Sequence, residues 1–134
     1  MTPRLLAPLV LAASVLGAVP AFATGEISCG NGNGASIDLL VGHLDVLSIS
    51  RAVITVGDKV WSSTPESWPG MPITVGQAFE DDGQLLVDIT DENVNEVMAR
   101  LRAVKLTEGD TTVTAGVLSL KGEGVWAVDC SEAE

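Results

Sequence analysis

Asp91-Glu92-Asn93-Val94-Asn95-Glu96-Val97-Met98-Ala99-Arg100-Leu101-Arg102-Ala103-Val104-Lys105 is the stretch on which the fold class turns. Its apolar residues Val94, Val97, Met98 and Leu101 recur at the i, i+3, i+4, i+7 spacing of one helical face. Thr90 or Asp91 is placed to accept the first free amides. Acids lie in the first turn, and Arg100, Arg102 and Lys105 lie near the end, which suits the helix dipole. Glu96 and Arg100 form a well-oriented i, i+4 pair. The pattern predicts one helix from Asp91 to Lys105.

The sequence on either side reads as strand and turn. Glu26 to Gly30 is a short strand with Ile27 and Cys29 on one face, followed by the turn-rich Gly30-Asn31-Gly32-Asn33-Gly34. Ala35 to Val41 is a second strand. Leu44 to Val56 is a third whose phase slips: Leu47 and Ile49 are odd, while Ala52, Ile54 and Val56 are even. A slip near Ser50-Arg51 predicts a bulge or bend. Gly57-Asp58 fits a two-residue type II′ turn, because glycine tolerates the positive φ required there. Lys59 to Ser63 is the return strand. Ile73 to Phe79 is ambiguous between strand and short helix, and Glu80-Asp81-Asp82-Gly83 is a turn. Gln84 to Ile89 directs Leu85, Val87 and Ile89 to one side. Thr111 to Leu120 and Val125 to Cys130 form a closing hairpin, with Trp126, Val128 and Cys130 on one face. Strands segregated from a lone helix give an α+β fold, a small and mostly antiparallel sheet with one helix.

The N-terminus carries an address. Arg4 is a basic start, and Leu5 to Val19 is an apolar run of about 15 residues, short of the roughly 20 that span a bilayer. Pro20 ends the run and Ala21-Phe22-Ala23 is a small-x-small cleavage site. Residues 1–23 thus read as a signal peptide. Residues 24–134 remain as a single mature domain in the periplasm or outside the cell, without a stable membrane anchor. Loss of Arg4 leaves six bases against eighteen acids, a net charge of −12. Such a chain repels nucleic acid and anionic headgroups and attracts basic proteins. Cys29 and Cys130 are an even pair without a CxxC motif, and export favours a disulfide between them. That bond would make the first and last strands neighbours and nearly close the sheet, which could then be barrel-like.

No catalytic constellation is present. His43 is the single histidine, and no GxSxG elbow surrounds any serine. The acids Glu80 to Glu96 fail the calcium-loop template: counted from Asp88, the required glycine falls on Asn93 and the closing glutamate on Ala99. A looser cation site at Asp81, Asp82 and Asp88 competes with turn solvation and capping. The Gly/Asn run lacks the lysine and hydroxyl of a phosphate loop. No metal, cofactor or catalytic residue is therefore assigned.

Ser62 to Pro72 is the most irregular region, with Pro65, Pro69, Gly70 and Pro72. It carries Trp68 and Met71. An aromatic residue on a proline-stiffened loop is either a contact anchor or a cover for the core. Trp68 and Met71 are the candidate binding residues.

The terminal cysteines and exported β content resemble the periplasmic inhibitors of C-type lysozyme. The chain has no tyrosine, so that family's Ser-Gly-x-x-Tyr inhibitory motif is absent. Three functions follow as expectations. The first is a non-enzymatic binding module for an unknown protein or small ligand. The second is an inhibitor of a basic secreted hydrolase such as lysozyme, and the third is a small hydrolase using acidic residues.

Overall fold

The computed structural model describes Pro3 and residues 24–43 and 45–133. The signal-peptide reading of residues 1–23 thus lies outside the described residues apart from Pro3, as does Leu44. Nine strands follow in order: β1 (Thr24–Gly30), β2 (Ala35–His43), β3 (Leu47–Val56), β4 (Lys59–Ser62), β5 (Met71–Glu80), β6 (Gln84–Asp91), β7 (Val97–Glu108), β8 (Thr111–Leu120) and β9 (Gly124–Ala133). They close into a barrel in chain order. A ring of strictly alternating neighbours closes only with an even number of strands. Nine strands need a parallel pair, and β4 with β5 supplies it through Trp61↔Met71 and Ser62↔Pro72. The proline-rich segment 63–70 carries the chain back along β4 to make that pairing.

The α+β expectation is overturned: the fold is all-β, with no helix among the described residues. The segment read as helix divides into a turn and most of β7. Ala99, Leu101 and Ala103 point into the barrel and are at most 2% exposed, while Arg100, Arg102 and Val104 point out. The period is therefore two, not 3.6. Met98 is the extra residue of a bulge between the Ile89↔Ala99 and Thr90↔Val97 pairs. Arg100 has Asp88 as its cross-strand neighbour instead of pairing with Glu96, which bonds Lys121. The capping signal was genuine but serves a turn. Asp91 Oδ1 accepts the Asn95 amide at 2.6 Å and the Glu96 amide at 3.3 Å.

Other local readings match the structure. A bulge at Leu40/Val41 sets Ser50-Arg51 as the slip, with Leu40 opposite Arg51 and Val41 opposite Ile49. Val56 pairs with Lys59 around Gly57, whose φ is +58°, while Asp58 keeps a negative φ, as a type II′ turn requires. The ambiguous Ile73 to Phe79 segment is strand. Inward Ile27, Ile37, Leu39, Ile54, Leu85 and Leu118 are at most 1% exposed and fill the barrel. Each such side chain contributes roughly 1.5–3 kcal/mol on burial.

Cys29 faces Cys130 in register across the β1–β9 seam and is bonded to it. The expected disulfide is thus present, and it joins the terminal strands of a closed sheet. Such bonds persist in oxidising compartments outside the cytoplasm.

One turn residue is strained. Val94 has φ +59°, a left-handed conformation that a β-branched side chain resists, and it is 62% exposed. Val94→Gly should therefore raise stability by about 1 kcal/mol, since the left-handed penalty of roughly 1–2 kcal/mol outweighs the extra unfolded-state freedom. Urea unfolding checks this, and a lower midpoint for the variant would contradict it.

Candidate binding site

The bulge opposite Leu40 turns Arg51 outward. Beyond it, Ala52 and Ile54 point into the barrel and Val53 points out. The register then lays two rows on the outer wall: Glu26, Leu40 and Arg51, and beside them Ser28, Asp38 and Val53. The Ser28 hydroxyl donates to the Asp38 carboxylate, fixing that acid on the wall.

The segment after β4 folds over this wall. The Ser63 amide donates to the Ala52 carbonyl at 3.0 Å, and the Ala52 amide donates to Ser63 Oγ at 2.8 Å. Ser62 is fully buried and accepts the Thr64 amide at 3.1 Å. The Thr64 carbonyl then accepts the amides of Ser67 and Trp68 at 3.0 and 2.8 Å. Pro65 stands at the second position of that turn, where its fixed φ is favourable. These bonds aim Trp68 back onto β3.

The Arg51 guanidinium lies 4.7 Å from the Trp68 ring centroid, a cation–π contact. Such contacts are worth about 0.5–1 kcal/mol at exposed sites. Trp68 remains 46% exposed, whereas outward-pointing Val53 is only 4% exposed beneath the loop. Trp68 thus covers part of the wall and still offers its other surface to solvent. Glu26, Asp38, Leu40, Arg51, Val53 and Trp68 line a hollow of about 180 Å³.

The charge pattern sets Arg51 apart. Lys59 pairs with Glu123, Arg100 and Arg102 with Asp88, Lys105 with Glu80 and Glu132, and Lys121 with Glu96. Among the described residues, Arg51 is the one base with no carboxylate within 4.0 Å and no hydrogen bond from its side chain. Its planar fork of five donors faces a hollow that also holds an aromatic face, two aliphatic side chains and two acids. This set can accept an acceptor group at Arg51, a cationic group at Glu26 or Asp38, and apolar bulk against Trp68.

The other residues singled out from the sequence lie elsewhere. Met71 heads β5 opposite Trp61, is 45% exposed, and does not line the hollow. His43 ends β2 and bonds Glu80 at 2.8 Å, which in turn holds Lys105 at 2.9 Å. Asp81 Oδ1 accepts the Gly83 and Gln84 amides, and Asp88 is engaged by Arg102 at 2.7 Å. Asp81, Asp82 and Asp88 therefore do not assemble a cation site, and no group of three His, Cys, Asp or Glu among the described residues could hold a metal. In the Gly/Asn run, Asn31 Oδ1 accepts the Asn33 and Ala35 amides at 2.8 and 3.0 Å, closing a turn.

Arg51 is the residue that the sequence reading missed. The phase slip flagged its neighbourhood but gave no sign of its partner, seventeen residues downstream. Comparison with protein-family models, curated proteins and solved structures finds no match, so the functional reading rests on this geometry.

Proposed function

We propose that the mature chain is an exported, non-enzymatic binding module that contacts its partner through the hollow beneath Trp68. The observation that carries this is Arg51, held against Trp68 and unpaired with any described carboxylate in a chain of eighteen acids and seven bases. An arginine fork left free in such a chain has a use for an external acceptor. The loop bonds hold the aromatic ring in place before binding, which lowers the ordering cost of association. The apolar leader and the disulfide together support the periplasm, or secretion, as the setting.

Truncating a central aromatic anchor typically costs 2 kcal/mol or more. Trp68→Ala should therefore weaken partner retention about 30-fold without unfolding the barrel, since the ring lies outside the core. Immobilised mature protein challenged with periplasmic extract measures this, with Arg51→Gln as the second variant. Equal retention by the wild type and both variants would remove the hollow from consideration.

The acid excess favours a second reading, inhibition of a basic secreted hydrolase. Five of the six described bases are already tied to carboxylates, so the surface field is strongly negative. Lysozyme activity measured with added protein at low ionic strength tests it, and undiminished activity ends it.

A further inference from the structure

We propose that the outer wall of β7, β8 and β9 pairs two copies of this chain about a two-fold axis. Val104, Leu106, Val113, Val117 and Val125 are 58%, 75%, 60%, 45% and 68% exposed. They make up half of the large apolar side chains exposed among the described residues. The register gathers them: Leu106 is opposite Val113, Val104 opposite Ala115, Val117 opposite Ala127, and Val125 opposite Ser119. Exposed Asp129, opposite Ala115, flanks this patch on β9, and an apolar patch rimmed by polar residues on an otherwise acidic protein marks a contact surface.

The occupant is indicated by the charges at the ends of the wall. The outward row of β7 reads Arg100, Arg102, Val104, Leu106, Glu108, with Asp110 just beyond in the turn. One end is basic, the centre is apolar and the other end is acidic. Such a row is complementary to itself when a second copy is laid on it antiparallel. A two-fold interface requires this property, because each patch meets its own copy. Centred between Val104 and Leu106, the overlay sets Val104 of each copy against Leu106 of the other, Arg102 against Glu108 and Arg100 against Asp110. Arg100 is held to Asp88 only at 3.9 Å, and Glu108 has no ion pair among the described residues. A lipid surface suits the wall less well, because Glu108 and Asp110 lie at its projecting tip.

The row from Arg100 to Glu108 is roughly 30 Å long at about 3.4 Å per residue, and three strands span roughly 10–15 Å. That is about half of the ~800 Å² per partner of a standard interface. The dimer is therefore weak, with dissociation in the hundred-micromolar range. No residue of the Trp68 hollow takes part.

Sedimentation velocity of the oxidised mature chain from 10 µM to 1 mM, as a range on the order of the weak-interface limit, gives the test. The expected result is a monomer that becomes a dimer across this range. Leu106→Glu should shift the midpoint more than tenfold without changing the melting temperature, while Met71→Glu, on the β4–β5 pair and off the wall, should leave it in place. Arg100→Glu and Asp110→Arg should each weaken the dimer, and the double swap should restore it. A monomer throughout overturns the proposal, and a monomer that floats with phosphatidylglycerol vesicles does so in favour of lipid. A dimer indifferent to Leu106→Glu, or singly weakened variants not rescued by the swap, also overturns it.

Discussion

Replacing Cys29 and Cys130 together by alanine should lower the stability of the barrel by about 2–5 kcal/mol, read as a lower urea midpoint. The bond joins residues 101 apart in sequence, so nearly the whole described chain lies in one loop. The chain-entropy argument assigns a loop of that size about 4.7 kcal/mol, which real bridges often fall short of. Small domains have roughly 5–15 kcal/mol in total, so the loss is a large fraction. Alanine is the better replacement because Cys29 is 1% exposed, and a serine hydroxyl there would add its own burial cost.

The loss should also be local in its first effects. The β1–β9 seam has five paired positions, Glu26 to Gly30 against Asp129 to Ala133, whereas β7 and β8 share ten. It is also the ladder that joins the two ends of the chain, so its closure is entropically the most costly. Without the bond, amide exchange in β1 and β9 should rise well before that in β6 to β8. An alanine pair with an unchanged midpoint and uniform exchange would mean that the seam holds without its staple.

The features legible in the sequence were those set by neighbouring residues. The slip at Ser50-Arg51, the Gly57-Asp58 turn and the inward cysteines each follow from a few adjacent positions. The helix reading failed because Val97 to Lys105 carries two periods at once. Leu101 belongs to both, and Ala99 and Ala103 have the highest helix propensity of any residue. For Ala103 the reason for being small is tertiary: it faces Gly116, where the backbone of β8 comes closest. Nothing within residues 91–105 reports that approach. The cysteine pair pointed to a nearly closed sheet, but the parallel β4–β5 pair was hidden, because it depends on how many strands the ring contains. Trp68 stood out through its prolines, but its placement on Arg51 depends on the β4–β5 crossover.

Gly116→Ala is expected to be the most damaging single methyl group in the chain, costing about 3 kcal/mol or more, at the upper end for overpacking. Gly116 lies on β8 between Ala103 of β7 and Val128 of β9. A Cβ there would lie 2.5 Å from the Ala103 Cα and closer still to the Arg102 carbonyl oxygen. Both obstructing atoms are backbone, so no rotamer change relieves the overlap and Ala103→Gly should not rescue it. The β7–β8 ladder must open or the barrel must widen. The sign of the effect also tests the architecture. In an ordinary strand, Gly→Ala is stabilising by roughly 0.5–1 kcal/mol, because alanine has less freedom to lose on folding. If residues 91–105 were helical, β8 would lack that neighbour, and the substitution should raise the urea midpoint. A lowered midpoint, with no recovery when Ala103→Gly is added, places the backbone of β7 against Gly116 and excludes a helix there.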